Sequence, residues 1–438
     1  MQSVITIFFI ALMILISAIS EKSWSNPLTI FCGMWFAICF LAELKLFGMY
    51  DYSENVFLIV LLGNIGFFCG YMLAKKTKVS SRYEFSAIGI SNKYLYQYNT
   101  KIIMAFLWAA IAIYLLMSIQ VLGLLLAGFD TATIRESYRE TGTTTVSGMA
   151  LTAIFGSTLV KQLELYIAQP VMRAAIPIFA IEITGKGKMT PLATMALAVA
   201  GLYTFSKFGR FALLYIIADV ILCYFIIGKN IDRRTKKKIK RVVLLGIVGI
   251  CLVLVYLSVY RWENETFSYA QSIYGYFSIP IPLLDFWTKR IDAVNAYSFC
   301  NSYVLGFMGF VTRVLKRVGI SLPAYATATL YNYNLVDSFV YIFPGQKYNA
   351  YVSMFFAFYL DFREIGVFAG TLIFGYIVEK SYKKAKTKRV EYLAFYLLLI
   401  QCIVKSFVRW EFVLEQYWLS FLILRLWFKK ERVDESDV

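Results

Sequence analysis

The stretch IIMAFLWAAIAIYLLMSIQVLGLLLA, residues 102–127, decides the fold class, because it contains no charged side chain. About 20 apolar residues are enough for an α-helix to cross the hydrocarbon core of a bilayer. Comparable apolar runs recur along the chain, at residues 2–20, 28–47, 55–74, 165–184, 189–206, 209–228, 242–260, 365–380, 392–408 and 412–428. The sequence therefore predicts an all-α polytopic membrane protein with about 11 transmembrane helices, forming one integral membrane domain over residues 1–438.

The composition restricts the chemistry that this protein can carry. The 438 residues are 59% hydrophobic and 16% charged, whereas a soluble domain is about 25% charged. The chain contains no histidine, which excludes the commonest general base, the commonest zinc ligand and every Ser-His-Asp triad. The seven cysteines form no Cys-x-x-Cys pair, so neither a disulfide framework nor an iron–sulfur site is indicated. We expect no metal and no cofactor.

The basic residues predict the topology. In membrane proteins Lys and Arg accumulate in cytoplasmic loops, so we interpret the net charge of +17 as topology and expect the bilayer, not nucleic acid, as the partner. Eleven spans that start outside and end inside place the basic clusters 75–101, 229–241, 380–389 and 429–432 on one face. An extra span at 149–164 would invert cluster 229–241, so we interpret 149–164 as an interfacial amphipathic helix.

Two sizeable segments then lie on the outer face, at residues 128–148 and 261–363. The second is rich in aromatic residues and prolines and poor in charges, which is typical neither of a disordered segment nor of a soluble domain. We expect it to lie against the membrane as short interfacial helices, for example at 304–318.

Several outer-face arginines are candidate phosphate ligands. In the turn Lys207-Phe208-Gly209-Arg210, glycine permits a tight turn and Arg210 can donate a bidentate fork to a phosphate, although a basic pair that anchors a hairpin to headgroups fits equally well. Arg135 and Arg139 are four residues apart and could grip a diphosphate, or could form a salt-bridged turn with neighbouring glutamates.

Two further stretches bound the long outer segment. Arg261, Trp262 and Glu263 open it and suit either a snorkelling anchor or a sugar-phosphate site with an aromatic platform. Tyr348 and Asn349 precede its end. Asp361 and Glu364 share a helix face, where a carboxylate beside apolar surface could act as a general base. The alternative is a helix start that favours acids through its dipole.

In this order, the features resemble the Wzy-type oligosaccharide repeat unit polymerases of bacterial inner membranes. The ordered features are Arg135 and Arg139, the turn at 207–210, a strongly basic cytoplasmic loop, an aromatic outer loop opened by Arg261, and residues 349–366 with Asp361-Phe362. Two positions depart from the pattern. Phe208 stands where a small residue is more typical, and Arg363 stands where glycine is often found.

The resemblance implies a GT-C-like glycosyltransferase that acts at the periplasmic face without metal or nucleotide sugar. Its donor and acceptor would both be undecaprenyl diphosphate-linked oligosaccharides, and a chain-length regulator and a flippase of the same pathway would be its partners. The N-terminus would be periplasmic and the C-terminus cytoplasmic. The residues implied are Arg210, Arg261, Arg135, Arg139 and Arg290 for the diphosphate, Asp361 or Glu263 as base, and Trp262, Tyr348 and Asn349 for the glycan.

Two other functions remain open. A flippase would move the same lipid-linked oligosaccharide without forming a bond, but the sequence has no two similar halves of the kind that many transporters show. An O-antigen ligase would use the same donor, but a ligase is expected to carry a histidine in its large periplasmic loop, and this chain has none.

Overall fold

A computed structural model of the chain describes residues 1–77, 98–129, 158–227, 269–320, 324–387 and 389–429, with isolated positions between them. Within these residues the chain is almost entirely helical. The helices are α1 (Gln2–Glu21), α2 (Pro27–Glu43), α3 (Asn55–Lys76), α4 (Thr100–Leu126), α5 (Thr158–Leu163), α6 (Gln169–Lys186), α7 (Pro191–Lys207), α8 (Phe211–Ile227), α9 (Tyr269–Ser278), α10 (Pro280–Ala293), α11 (Leu305–Arg317), α12 (Ala324–Asn334), α13 (Ser353–Ala385), α14 (Val390–Lys405) and α15 (Glu415–Trp427).

The predicted apolar runs coincide with these helices, except for 242–260, most of which lies outside the described residues. Four described helices are long and apolar enough to cross a membrane, namely α1, α3, α4 and the continuous helix Leu159–Lys186. Helices α2 and α8 are apolar but shorter. The described part of the chain is thus all-α apart from one small hairpin, with helices long and apolar enough to span a membrane, as the sequence predicted; the number of about 11 spans stays a prediction.

The predicted interfacial helix at 149–164 is not separate from the following span at its described end. Helix α5 continues through the π-helical turn Glu164–Ala168 into α6. Glu164 is buried and pairs with Lys207 at 3.1 Å, and the side chain of Gln169 donates to it. Glu164 therefore bonds inside the protein, whereas Lys161 and Gln162, the other polar residues of the predicted interfacial helix, are exposed.

The chain divides into two compact units that interleave along the sequence. The first unit contains Met1–Tyr83, Asn264–Lys383 and Leu399–Glu415, and the second contains Glu84–Glu263, Lys384–Leu398 and Gln416–Val438. In the second unit, α7 packs on α4 and α6, and α6 packs on α8. Its interior includes the edge-to-face pair Tyr114 and Tyr203, with ring centroids 5.6 Å apart.

Glycines bring α3 and α13 into backbone contact in the first unit. A Cβ placed on Gly70 would lie 1.9 Å from the carbonyl oxygen of Leu372, and one on Gly375 would lie 2.3 Å from that of Phe67. Small residues at helix crossings allow such close approach in membrane proteins. The position of α13 along α3 is therefore fixed by positions that cannot carry a side chain.

The two ends of the first unit differ in charge. At one end Lys75 pairs with Glu21 at 2.7 Å, and Lys383 donates to the carbonyl oxygen of Ala74 at 2.9 Å. At the other end of α3, the amino group of Met1 pairs with Glu54 at 3.0 Å. The length of α3 separates these ends by roughly 33 Å. We refer to them as the lysine end and the N-terminal end.

The long segment that follows residue 269 contains short helices and one hairpin. Helix α11 confirms the helix predicted at 304–318. Strands β1 (Val340–Phe343) and β2 (Gln346–Tyr348) form an antiparallel hairpin that was not predicted. The turn between them is Pro344-Gly345, with Gly345 at φ 72°, and Pro followed by Gly is the sequence pattern of a tight turn with a left-handed second residue. Helix α13 begins at Ser353, well before the predicted start at 365.

Substitution of Gly70 by Ala is expected to lower the free energy of unfolding by about 2 kcal/mol, because the new methyl group would overlap the α13 backbone. Gly33 in α2 is the control, since a Cβ there meets no atom within 4 Å. G33A should be neutral or slightly stabilising. Thermal unfolding of both variants in the same detergent measures the difference. Equal midpoints for G70A and G33A would contradict the close packing of α3 and α13.

Candidate functional site

Helix α13 is broken at Phe362 (φ −147°, ψ 35°) and Arg363 (φ 55°, ψ −138°). The break divides it into a first arm, 353–361, and a second arm, 364–385. The arms bend toward each other, so that a Cβ on Gly366 would lie 2.2 Å from the carbonyl oxygen of Phe358. The positive φ of Arg363 favours glycine, so a glycine would suit position 363. Arginine adopts it only because surrounding contacts hold it.

The side chain of Arg363 supplies these contacts. Its Nε pairs with Oδ1 of Asp292 at 2.8 Å, and its Nη1 donates to the carbonyl oxygen of Ala296 at 2.8 Å. The guanidinium lies 4.1 Å from the ring centroid of Tyr297. The hydroxyl of Tyr359 donates to Oδ2 of Asp292 at 2.8 Å, so both oxygens of that carboxylate are occupied. We call Arg363, Asp292 and Tyr359 the break clamp.

Asp361 bonds to the continuation of the same loop. The residue is fully buried and accepts hydrogen bonds from the Ser298 hydroxyl and from the backbone N–H groups of Ser302 at 3.2 Å and Tyr303 at 3.1 Å. It lies outside the four long apolar helices. Burial raises the pKa of the Asp361 carboxyl, and these hydrogen bonds act in the opposite direction. The carboxylate joins the loop 298–303 to α13, and its predicted role as a general base stays a prediction.

A pocket of about 480 Å³ lies at the N-terminal end of the first unit. One face of α10 forms one wall, because its lining residues follow helical spacing. Residues 50–52 and β1 form the remaining walls. The lining residues are Tyr50, Asp51, Tyr52, Pro282, Asp285, Phe286, Lys289, Arg290, Val340, Tyr341 and Ile342. Its volume falls in the range of ordinary small-molecule sites.

The carboxylates of the pocket are already paired. Asp285 pairs with Lys289 at 2.6 Å and accepts the backbone N–H of Ser53 at 3.0 Å. Asp51 pairs with Lys45 at 2.5 Å, and this hydrogen bond lowers the pKa of the Asp51 carboxyl. Both acids are therefore neutralised by lysines.

Arg290 is a cation of the pocket lining that belongs to neither of these ion pairs. Among the described residues, no carboxylate lies within 4 Å of its guanidinium, which lies 5.7 Å from the ring centroid of Trp287. Tyr341 and Phe286 expose 51% and 40% of their surface beside it. A free guanidinium can donate two parallel hydrogen bonds to a phosphate, and exposed aromatic rings can cover the apolar face of a sugar. The pocket is suited to an anionic, ring-containing ligand.

The predicted diphosphate ligand Arg210 belongs to the second unit, where it is half-buried at the start of α8. The glycine expected to shape its turn does not do so. Phe208 takes the left-handed conformation, with φ 50°, whereas Gly209 keeps an ordinary φ. Phe208 is held there because its ring packs against the apolar cluster of Val121 and Leu124.

The predicted glycan residues lie beside the hairpin. Asn349 donates to the carbonyl oxygen of Asp337 at 2.7 Å, and the hydroxyl of Tyr348 donates to Gln346 at 3.1 Å. Neither lines the pocket. The other candidates lie outside the described residues and stay predictions, namely Arg135, Arg139, Arg261, Trp262 and Glu263. Within the described ranges, no group of three His, Cys, Asp or Glu side chains is placed to hold a metal ion.

Sequence reasoning missed Lys289, Asp292 and Tyr359. The pair Asp285 and Lys289 has the i, i+4 spacing of a helical ion pair, and this signal could have identified the pocket face of α10. Asp292 carries no local signal, because its partners lie on a helix far along the chain.

Comparison with known proteins found no relative of this chain. No family model, no curated protein and no solved structure matches the chain. The chemistry of the site therefore has to be argued from its own residues.

Glycine is expected to be better tolerated than alanine at position 363. Both substitutions remove the side-chain contacts, but only glycine relieves the left-handed backbone, so R363G should be more stable than R363A by about 1 kcal/mol. The exposed helical residue Lys380 is the control, where K380A should be more stable than K380G by a similar amount. Unfolding curves of the four variants test this. The same alanine preference at both positions would argue against the break.

Asp361→Asn is expected to lower the free energy of unfolding by more than about 2 kcal/mol. The amide group replaces one acceptor oxygen by a donor, which then faces the three donors that the carboxylate binds. The control is Asp337→Asn, whose carboxylate is half exposed and pairs with Arg409 at 2.8 Å; it should cost less than 1 kcal/mol, roughly. Folded yield and thermal midpoints measure both. Wild-type stability of D361N together with lost activity would instead favour the role of general base for Asp361.

Proposed function

We propose that this protein is a membrane glycosyltransferase, a repeat unit polymerase of the Wzy type. It would transfer an undecaprenyl diphosphate-linked glycan chain onto the non-reducing end of another lipid-linked repeat unit. The observation that supports this best is Arg290, an arginine with no carboxylate partner among the described residues, in an aromatic pocket at the N-terminal end of the first unit.

The pocket suits the leaving group of that reaction. Transfer of the glycan releases undecaprenyl diphosphate, on which negative charge develops. Preorganised cations stabilise such charge without a metal. Arg290 offers the bidentate fork that matches a phosphate, and the ion pair of Lys289 with Asp285 on the same helix face leaves the positive charge of Arg290 uncompensated in the pocket. Tyr50 and Tyr341 suit the pyranose ring next to the diphosphate.

The charge of the first unit supports a periplasmic reaction. Its lysine end carries Lys75 and Lys383, and the positive-inside rule assigns such an end to the cytoplasm. The pocket at the opposite end would then open to the periplasmic face of a bacterial inner membrane. A GT-C-like protein of about 11 spans, with the N-terminus outside and the C-terminus inside, completes this proposal.

The remaining roles follow from the pairing of the charged groups. Arg210, Arg261, Arg135 and Arg139 are the further arginines proposed for the diphosphate. Asp361 is fully buried and bonds to the loop 298–303, so we propose a structural role for it, and the lowered pKa of the Asp51 carboxyl makes Asp51 a poor proton acceptor. Glu263 is the carboxylate that we propose as general base.

A flippase for the same lipid-linked oligosaccharide is the second candidate. The break in α13 favours it, because the substrate sites of many transporters are built around discontinuous helices. The pocket would then bind the diphosphate without bond formation.

The purified protein in nanodiscs, given its lipid-linked repeat unit alone, is expected to produce a ladder of longer glycans and to release undecaprenyl diphosphate. R290A should slow the ladder about a hundredfold, by analogy with removal of one preorganised donor. R425A is the matched control, because Arg425 is also an arginine in the last turn of a helix and does not line the pocket.

Three results would count against this proposal. A normal ladder from R290A would remove the pocket from the reaction. Equal slowing by R290A and R425A would show a general effect of charge. A well-folded protein that forms no ladder, but moves the substrate across a liposome bilayer, would identify the flippase.

A further inference from the structure

Two opposite faces of helix α10 make different contacts. Pro282, Phe286 and Arg290 lie one turn apart and line the pocket. Asp292 lies two positions after Arg290, so it projects from the opposite side of the helix. The last turn of α10 therefore carries the free cation of the pocket on one face and the anion of the break clamp on the other.

The clamp fixes the last turn of α10 and the loop behind it to the first arm of α13. Arg363 pairs with Asp292 and donates to the carbonyl oxygen of Ala296. The backbone N–H of Ser298 donates to the carbonyl oxygen of Leu360 at 3.0 Å. The end of α10 is thus attached at three successive points and has little freedom to rotate.

The backbone conformation of Arg363 is strained, and these contacts hold it in place. A non-glycine residue at φ 55°, ψ −138° costs free energy, and such a conformation persists only where its surroundings over-determine it. The ion pair to Asp292 and the ring of Tyr297, 4.1 Å away, provide that surrounding. A weaker contact to Asp292 would release both the strain and the end of α10.

We propose that Arg363, Asp292 and Tyr359 are positioning residues, which hold α10 in the orientation that aims Arg290 into the pocket for a prenyl-linked diphosphate. This inference rests on the proposed function. None of the three touches the ligand, and all three act through Arg290.

The test is a double-mutant cycle on the full-length protein in nanodiscs, with geranyl diphosphate as the probe and calorimetry as the readout. R290A and D292N should each weaken binding about tenfold, because one removes the phosphate fork and the other misplaces it. The double variant R290A/D292N should bind no more weakly than R290A, since Asp292 acts only through Arg290.

The ion pair Arg409 and Asp337 provides a matched control. Its length is also 2.8 Å, and its side chains are exposed to 18% and 54%, against 13% and 47% for Arg363 and Asp292. D337N removes a comparable pair whose members do not line the pocket. It should change the affinity for geranyl diphosphate by less than twofold, roughly. Should D292N fail to fold, Y359F tests the clamp with a smaller change, since it removes one hydroxyl that donates to Asp292.

The possible outcomes separate the two proposals. Weak binding by R290A with normal binding by D292N and Y359F would overturn the positioning role and leave the pocket in place. Additive losses in the double variant would show that Asp292 only stabilises the fold, which also overturns it. Normal binding by R290A would overturn the pocket itself, and with it the proposed function.

Discussion

A break in a helix leaves backbone groups without their partners inside the helix, so it persists only where the surrounding protein bonds to them. The break at Phe362 and Arg363 is the constraint on which the first unit depends. Asp361 accepts hydrogen bonds from the N–H groups of Ser302 and Tyr303, and Arg363 donates to Ala296 in the same loop behind α10. Two charged residues on either side of Phe362 thus turn a weak point of the helix into the attachment of a neighbouring segment.

This attachment needs a fixed partner, and close packing of α13 on α3 supplies one. Gly70 and Gly375 bring the two backbones into contact, so the second arm cannot slide without overlap. The first arm, bent back at the break, then carries Tyr359 and Asp361 to defined places. The position of α10 follows from theirs, because Asp292 is bonded to Tyr359 and Arg363. The close packing of α13 on α3 therefore also sets the geometry of the pocket.

The charges of the pocket follow a simple logic. Every acid that lines it is paired with a lysine, so the two acids contribute no net attraction or repulsion of their own. Arg290 has no carboxylate partner among the described residues. In the proposed site an anion would bind through the guanidinium of Arg290, and the affinity would depend on the direction in which the guanidinium points. Residues that do not touch the ligand would then control its affinity.

The sequence by itself determined the all-α class with helices long enough to cross a membrane, the helices on its apolar runs and helix α11, whereas the role of Arg290 as a phosphate ligand stays a prediction. Those conclusions need only local information, since apolar run length and helical spacing act within a few residues. Only the tertiary structure decided that Asp361 is buried and bonded, that Glu164 lies inside a continuous helix, and that Phe208 takes the left-handed position expected of Gly209. It also decided which acids are paired, because the partners of Arg363 lie on α10 and burial arises from packing between elements far apart in sequence.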